Sequence, residues 1–330
     1  MDQGARLLSL SRGRRLLARL QGHPEFGALI GFLTVFIGFA VSTPHFLTPA
    51  SIANILTVVA ELGVVSVGVT FLMIAGEFDL SVGSVLAVTA MSFALMAKAE
   101  WPHLLALLLA IGLAVLIGWL NGVITVKAGI PSFITTLGTM MFWRGILLAV
   151  TGGFPISYWG RSGLLLALNG KFAGDFRMSA IWLGIIVAIF AVLLTRTPYG
   201  NAVFAVGGNR EAARTLGVNV NRVKISCFII TAVLAGLAGI IQFARFKTVD
   251  PLRGTGLELE AIAAAVIGGT LLTGGYGSVV GTLLGVLLIG MVYSGLVMAG
   301  APAYWYRAFI GVILIVAVIV NTKVRARVGR

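Results

Sequence analysis

Charged residues are scarce in this chain: only 11% of its 330 residues are Asp, Glu, Lys or Arg, and 58% are hydrophobic. Soluble domains usually carry about a quarter charged residues, so the composition excludes an ordinary soluble domain. The mean hydropathy of +1.03 instead indicates a protein that crosses a lipid bilayer several times. Cysteine is also nearly absent. Because Cys227 is the only one, an internal disulfide is excluded.

Groups of side chains that carry out chemistry are missing too. The three histidines, His23, His45 and His103, lie far apart in the sequence, and no set of metal ligands can be assembled from them. No GxxxxGK[ST] loop is present, so we expect no ATP site on this chain. No Ser/His/Asp arrangement with a defensible geometry can be named. The sequence therefore predicts no metal, no cofactor and no enzymatic activity of its own.

Basic residues give the chain a formal net charge of +13. They lie at the ends of apolar runs, where the positive-inside rule explains them better than a nucleic-acid surface does. If the helices alternate, most of them fall on one side, namely Arg6, Arg12, Arg14, Arg15, Arg19, Lys127, Arg196, Arg210, Arg214, Arg222, Lys224, Lys323, Arg325, Arg327 and Arg330. We expect this side to be the cytoplasm of a bacterial inner membrane, with both termini on it. The basic residues left outside are Arg161, Lys171, Arg177, Arg245, Lys247 and Arg253.

Apolar runs of spanning length follow one another along the chain. They lie at residues 27–46, 52–75, 82–98, 103–126, 131–150, 179–195, 225–245, 258–273, 278–298 and 304–321. The first run lacks a small-x-small cleavage site, so it predicts an uncleaved helix rather than a signal peptide. The sequence thus predicts an all-α bundle of about ten transmembrane helices in one domain, residues 1–330. Its cytoplasmic parts would be a basic segment (1–24), a central loop (196–224) and a tail (322–330).

The central loop contains the pattern of a short helix of about two turns. Asn209 is a candidate N-cap, Glu211 lies in the first turn and Gly217 is a candidate stop. A rigid helix held between two spans suits a protein driven by a soluble motor, so we interpret it as a coupling helix seated on an ATPase subunit. The alternative is a solvated loop with one incidental helix. The residues expected to couple are Gly207, Gly208, Asn209, Arg210, Glu211, Ala212, Ala213, Arg214 and Gly217.

A second candidate is the polar turn AGEFDLSVGS, residues 75–84, between the second and third apolar runs. Its carboxylates avoid the cost of the bilayer centre, about 2.5–3.5 kcal/mol, if the turn lies at the membrane edge or in a water-filled cavity. Ser81 and Ser84 are expected to cap the following helix. We favour a structural role for Asp79 over substrate contact, because it immediately precedes that helix. The turn residues are Gly76, Glu77, Asp79, Ser81 and Gly83.

Polar side chains also occur within the apolar runs. Isolated carboxylates inside a membrane are functional-site candidates. Glu61 is therefore expected either to face a translocation path or to pair with a neighbour such as Arg144. Neutral polar groups would suit a sugar, which needs hydrogen-bond partners rather than a charged clamp. The candidates for the path are Glu61, Asn121, Thr135, Thr136, Gln242 and Glu258.

Glycine is abundant, with 43 residues. In the late helices we expect it to form seams where backbones approach closely, at Gly268, Gly269, Gly281, Gly285 and Gly290. A faint internal echo aligns residues 75–88 with 273–286, with Gly76 over Gly274, and both stretches would be turns on the same membrane side.

Residues 151–179 are too polar to span and are expected to form an interfacial loop or short helix, serving either as a docking surface or as a tether.

Five stretches together resemble the permease subunits of bacterial ABC importers of the ribose, xylose and galactose class. They are AGEFDLSVGSVLAVTA, GIPSFITTLGTMMFWRGILLAVTGG, GGNREAARTLGVNVNRVK, DPLRGTGLELEAIAAAVIGGTLLTGGYGSVVGTLLG and the closing span with its basic tail. The resemblance covers nearly the whole chain in matching order. It implies a helical subunit in the lipid bilayer, paired with a second copy as a homodimer, that works with a cytoplasmic ABC ATPase and a periplasmic sugar-binding protein. Glu77 and Phe78 depart from the family's common glycine and isoleucine, which leaves a role of this turn in selectivity open.

Other functions stay open at this point. Within the ABC class, the cargo could be a branched-chain amino acid or a molecule like autoinducer-2. An amino acid needs a partner for each of its charges, and the spans offer few well-placed cations, so a monosaccharide is favoured. The alternative of another class is a proton-coupled secondary carrier that uses Glu61 or Glu258, although it gives the central helix no role. An intramembrane enzyme is disfavoured because no nucleophile, base or metal set can be assembled.

Overall fold

The computed structural model describes residues 25–302 and 304–328, so the predicted basic segment 1–24 lies outside the described residues. The elements, numbered here in chain order, are α1 (Glu25–Ser42), α2 (Pro49–Ile74), α3 (Val82–Lys98), α4 (His103–Ala128), α5 (Ser132–Thr151), β1 (Ile156–Ser157), α6 (Gly163–Asn169), β2 (Lys171–Ala173), β3 (Phe176–Arg177), α7 (Met178–Arg196), α8 (Pro198–Gly208), α9 (Arg210–Thr215), α10 (Val220–Phe246), β4 (Thr248–Val249), α11 (Leu257–Ile267), α12 (Val279–Met298) and α13 (Trp305–Val328).

The predicted all-α membrane architecture is confirmed. Within the described residues, seven helices are long and apolar enough to cross a membrane: α1, α2, α4, α5, α7, α10 and α12. Helix α3 is also apolar but has only 17 residues. The strands are two or three residues long and form two small antiparallel pairs, β1 with β4 and β2 with β3.

Helix α10 lies at the centre of the bundle and packs against α2, α3 and α4. Small residues allow the close approach. A Cβ added at Gly122 of α4 would lie 2.9 Å from the Cα of Ile225, and one at Gly239 of α10 would lie 2.3 Å from the carbonyl oxygen of Leu86. Membrane helices gain no hydrophobic attraction for one another inside lipid, so such close backbone contacts supply much of their association energy.

The predicted seam in the late helices is confirmed as well. A Cβ at Gly285 would lie 2.1 Å from the carbonyl oxygen of Ala264, and one at Gly281 would lie 2.0 Å from that of Gly268. Helix α12 therefore packs backbone to backbone against α11. Gly290 extends the close packing of α12 to Val59 of α2.

The expected span at 258–273 is wrong in its extent, because helix α11 ends at Ile267. Its 11 residues are about 16 Å long, which is roughly half of the hydrocarbon thickness of a bilayer. Gly268 follows the helix and Gly269 adopts a left-handed backbone (φ +92°) that stops it. At the other extreme, α13 continues to Val328, beyond the expected end at residue 321.

The weak sequence echo corresponds to a contact in the structure. The Gly275 backbone N–H donates to the Ile74 carbonyl oxygen at 2.8 Å, and a Cβ at Gly274 would lie 2.9 Å from the Cα of Gly76. The two echoing turns therefore lie against each other at the same end of the bundle, as expected.

The helices on either side of these turns end in matching ways. The same 6→1 hydrogen bond of a Schellman motif closes α2, α3, α11 and α12, from Glu77 N to Leu72 O, Trp101 N to Met96 O, Thr270 N to Ala265 O and Ala301 N to Leu296 O. Helices α2 and α3, on either side of the first turn, therefore end with the same motif as α11 and α12, on either side of the second.

The segment after α5 contains a short helix, one of the two forms that the sequence predicts for it. It contains β1, the seven-residue helix α6, β2 and β3. Asn169 fixes it to the bundle by donating from Nδ2 to the Ile241 carbonyl oxygen at 2.9 Å, and Tyr158 lies 3.1 Å from His103 Nε2. Trp159 is 78% exposed on its surface.

We predict that Gly239→Ala destabilises the protein while Gly184→Ala does not. The new methyl group at residue 239 overlaps the Leu86 carbonyl and forces α10 away from α3. Overpacking of a core in this way typically lowers the free energy of unfolding by about 1–3 kcal/mol. Nothing lies within 4 Å of a Cβ at Gly184 on α7, and alanine is the better helix former. Thermal unfolding of the detergent-solubilised variants measures both effects, and equal melting temperatures would contradict the packing argument.

Candidate functional site

The central loop between α7 and α10 consists of two consecutive helices, α8 and α9. The sequence predicts α9 correctly: Asn209 Oδ1 accepts from the Ala212 backbone N–H at 3.0 Å, and Gly217 follows the helix with φ +83°. Helix α8 was missed, because its apolar residues were taken as part of the loop. Its start carried a readable signal, since Thr197 caps the helix and Pro198 occupies its first turn.

The nine residues predicted to couple divide into two groups. Gly207 and Gly208 end α8 and face the bundle: a Cβ at Gly207 would lie 1.7 Å from the Ile74 carbonyl oxygen, and Gly208 touches Gly275. Ala213 is only 2% exposed and fixes α9 against the protein. Gly208 and the remaining six are exposed, and these six are Asn209, Arg210, Glu211, Ala212, Arg214 and Gly217.

The exposed side of α9 combines charge with one large apolar side chain. Glu211 and Arg214 are 3.8 Å apart and both extend into solvent. Leu216, the residue directly after the helix, is 82% exposed although it is neither polar nor in a predicted span. An exposed leucine beside paired charges on a short, anchored helix is typical of a contact surface.

The junction beneath this helix pair consists of glycine backbones. We call it the glycine junction and define it as Gly76, Gly207, Gly208, Gly274 and Gly275. It joins the end of α8 to both echoing turns, and the Ile74 carbonyl oxygen accepts the Gly275 N–H inside it. No side chain larger than hydrogen fits at Gly207 without displacing the backbone of α2. The end of α8 is therefore in direct backbone contact with both turns.

The turn at 75–81 is held by hydrogen bonds from three neighbouring segments. Asp79 Oδ1 accepts from the Ser81 backbone N–H at 2.7 Å and from Ser81 Oγ at 2.5 Å. Asn121 Nδ2 of α4 donates to the same serine oxygen at 2.8 Å. Asp79 is 1% exposed, and this geometry supports its predicted structural role. The expectation that Ser81 caps α3 is wrong, since its side chain makes no cap hydrogen bond and bonds Asp79 instead.

Helix α5 supplies further bonds to the turn. Ser132 Oγ accepts from the Phe78 backbone N–H at 3.1 Å, and Thr136 Oγ1 accepts from the Leu80 N–H at 3.0 Å. Glu77 completes the attachment through a nearly buried ion pair with Lys224, near the start of α10. The turn residues that were read as one motif therefore connect α2 and α3 to α4, α5 and α10.

Glu61 forms a second buried ion pair across the core. Its Oε1 accepts from Arg245 Nη1 at 3.0 Å and its Oε2 accepts from Gln242 Nε2 at 2.8 Å, both on α10. The expected pairing with Arg144 is wrong, because that guanidinium donates to the Pro251 carbonyl oxygen instead. The sequence could not have distinguished these partners, since Arg245 was expected outside the membrane.

The six path candidates therefore do not form one surface. Glu61 and Gln242 belong to the ion-pair cluster with Arg245. Asn121 and Thr136 donate to or accept from the polar turn. Thr135, which precedes Thr136 in the sequence, is buried. Glu258 lies in the first turn of α11, where its Oε1 accepts from the Gly256 N–H at 3.1 Å, and its Oε2 lies beside Gly83 at the start of α3. Most of these side chains tie helices together in the structure.

The apolar helices form a bundle whose core is connected by buried hydrogen bonds and ion pairs. An exposed helix pair is anchored to this bundle between two spans. This is the organisation of a membrane transport subunit. The chain belongs to the family described as branched-chain amino acid transport system / permease component, whose family model matches residues 51–318.

Comparison with curated proteins identifies relatives along nearly the whole chain. It is 36% identical to the ribose import permease protein RbsC of Bacillus subtilis over 300 residues, which cover 91% of this chain and 93% of that protein. The RbsC protein of Escherichia coli K12 is also 36% identical, over 91% and 94% of the two chains. The autoinducer 2 import system permease protein LsrC of Photorhabdus laumondii is 30% identical over 96% and 94%. No solved structure matches.

We predict that Arg245→Ala lowers stability strongly. The substitution leaves the Glu61 carboxylate buried beside a single amide, and breaking a buried ion pair in this way typically costs about 3–5 kcal/mol. The double variant Glu61→Leu/Arg245→Met removes both charges and should recover much of the loss.

Lys171→Ala is the matched control, because it breaks an ion pair whose side chains are 54% and 56% exposed. We expect its melting temperature to stay at the wild-type value. A melting temperature for Arg245→Ala equal to that of this control would show that the buried pair contributes nothing.

Proposed function

We propose that this protein is the membrane-spanning permease subunit of an ABC importer that carries a monosaccharide, a ribose-like pentose or a hexose, across the inner membrane. Its 36% identity with ribose import permeases over 91% of the chain is the observation that carries the proposal. A partner ATPase supplies the energy, and transport follows alternating access, in which the path opens to one side at a time.

A sugar is favoured over the other cargoes on two grounds. The autoinducer 2 permease is a more distant relative than the ribose permeases. An amino acid would need a cation for its carboxylate, but Arg245 is already paired with Glu61 in the core. The family's description names branched-chain amino acids, so such an amino acid remains an outcome that the uptake experiment below can show.

A proton-coupled carrier is disfavoured by the geometry of Glu61. A proton-carrying carboxylate must exchange its proton with both sides of the membrane, whereas this one accepts hydrogen bonds from an arginine and a glutamine. Such a carrier would also give the exposed face of α9 no role. Glu258 alone does not change this conclusion, since its carboxylate caps the start of its own helix.

The membrane orientation follows from adding three helices to the seven long spans. With α3, α11 and α13 counted as crossings or partial crossings, the chain crosses ten times and both termini lie in the cytoplasm. The central helix pair then lies on the cytoplasmic side, and the segment 151–179 lies outside, within reach of a periplasmic sugar-binding protein. A second copy of the chain completes the path as a homodimer.

Coupling proceeds through α9. Its exposed charges and Leu216 fit a groove on the ATPase, and Ala213 and the glycine junction pass a movement of that groove to the turns before α3 and α12. The small residues make this connection stiff, because backbone contacts cannot adjust by side-chain rotation.

We predict that Glu211→Lys/Arg214→Glu abolishes sugar uptake and co-purification of the ATPase while the protein remains in the membrane. The exchange preserves an opposite-charge pair within α9 but reverses the field presented to the partner. Lys171→Glu/Asp175→Lys is the matched control, because it reverses an exposed pair on the segment after α5 and should leave both readouts intact. Normal uptake by the α9 variant would contradict the coupling role.

Leu216→Asp should release the ATPase by itself. A carboxylate at the centre of a contact surface loses its water without gaining a partner, which typically lowers affinity at least tenfold. Co-purification measures the effect. Leu166→Asp, which changes a leucine that is 64% exposed on α6, should retain the ATPase, and equal retention by both variants would exclude Leu216 from the interface.

The cargo is tested by uptake of labelled ribose in cells that express the whole transport system. We expect uptake that is competed by pentoses and hexoses, that depends on ATP and that persists when an uncoupler collapses the proton gradient. Competition by leucine but not by sugars would establish the amino-acid alternative, and collapse by the uncoupler with ATP present would establish the secondary carrier.

A further inference from the structure

The ion pair between Glu77 and Lys224 lies where the central loop returns to the bundle. Glu77 belongs to the turn after α2, and Lys224 lies in the second turn of α10, the helix that follows the loop. Their side chains are only 13% and 10% exposed. Solvent therefore weakens their attraction less than it weakens that of an exposed pair. The start of α10 is thus fixed to the turn after α2.

The front of the central loop is attached to the same short stretch of chain. Gly207, at the end of α8, packs against the Ile74 carbonyl oxygen at the end of α2. Helices α8 and α10 also contact each other, because the Tyr199 hydroxyl lies 2.7 Å from Ser226 Oγ. The end of α2, α8 and α10 therefore form a closed triangle of contacts, and the ion pair is the side that joins α10 to the turn.

Helix α9 lies between these two attachments and is connected tightly to the second. The Val218 N–H donates to the Ala213 carbonyl oxygen at 3.0 Å, which folds the end of α9 onto the residues that lead into α10. Asn219 Oδ1 then caps α10 by accepting from the Arg222 N–H at 3.0 Å. Only residues 216–219 separate the two helices, so a force on α9 acts directly on the start of α10.

The ion pair determines where such a force goes next. A hydrogen bond from Thr231 Oγ1 to the Gly68 carbonyl oxygen, at 2.9 Å, also joins α10 to α2, but it lies about 10 Å further along α10. Without the ion pair, the first two turns of α10 would lose their bond to the turn. Helix α9 could then move with the start of α10 while the turn stays in place.

We propose that Glu77 and Lys224 are positioning residues for coupling. Their ion pair fixes the return end of the central loop to the turn after α2, so that a movement of α9 displaces this turn instead of bending the start of α10. The inference rests on the proposed coupling role of α9 and adds the contact through which its movement enters the bundle.

Glu77→Gln/Lys224→Met tests this role, because it removes both charges and leaves neither one buried alone. The readout is the amount of ribose taken up per ATP hydrolysed in liposomes that contain the whole transporter. We expect this ratio to fall about fivefold or more, while the melting temperature and ATPase co-purification stay at wild-type values. Glu61→Leu/Arg245→Met is the matched control. It removes the other buried ion pair between α2 and α10, at the opposite end of α10, and should retain the wild-type ratio.

A covalent bridge should replace the ion pair. Cys227→Ala removes the only cysteine, and Glu77→Cys/Lys224→Cys in this background should show the low ratio. Bridging the two thiols with the short bifunctional reagent propanediyl bismethanethiosulfonate should return the ratio to within about twofold of the Cys227→Ala value, since the attachment is restored without any charge. Reduction with dithiothreitol should lower it again.

Three results would overturn the positioning role. A wild-type ratio for Glu77→Gln/Lys224→Met, or a bridged cysteine pair with a ratio as low as the unbridged one, assigns the ion pair a purely structural role. Loss of ATPase co-purification in the same double variant shows that the pair shapes the contact surface and does not carry its movement.

Failure of the proposed function looks different. If the wild-type transporter takes up no ribose, the sugar function fails, and the same ratio is then measured with leucine, the alternative cargo. If the wild type transports ribose normally and the ion-pair variants do so with the same ratio, only the positioning role fails.

Discussion

The Ile74 carbonyl oxygen is the point at which three parts of this chain meet. It ends α2, accepts the Gly275 N–H and lies against Gly207 at the end of α8. The contact exists only because the glycine junction has no side chains to separate the three backbones. The end of α8 therefore touches both turns without any flexible side chain between them, and the proposed coupling depends on this rigidity.

Helix α10 connects further parts of the core to one another. Two ion pairs connect it to α2 and the turn that follows, one through Glu61 and Arg245 and one through Glu77 and Lys224. These four charges are tolerated in an apolar bundle because each lies against an opposite charge, and Gln242 donates a further hydrogen bond to Glu61. Glu61, a carboxylate that was expected to face a path or to pair with a neighbour, is thus held in an ion pair between α2 and α10.

How far the sequence predicted these features depended on whether the signal was local. The short helix α9 was predictable because Asn209 and Gly217 act through their own backbone neighbours. The partner of Glu61 was not, since nothing near it in sequence distinguishes Arg245 from Arg144. The extent of α11 was missed for a related reason: an apolar run that continues past Gly268 and Gly269 has the composition of a span, although a left-handed glycine ends the helix inside it.

The sequence by itself determined that this is an all-α membrane protein and where most spans lie, because hydropathy and local helix signals depend only on residues close together in the chain. Its motifs also showed the resemblance to importer permeases. Only the tertiary structure decided which charges pair, that two distant turns share one glycine junction, and where α11 begins and ends. These features arise from contacts between residues far apart in the chain, and the order of the amino acids does not show such distances until the helices are packed together.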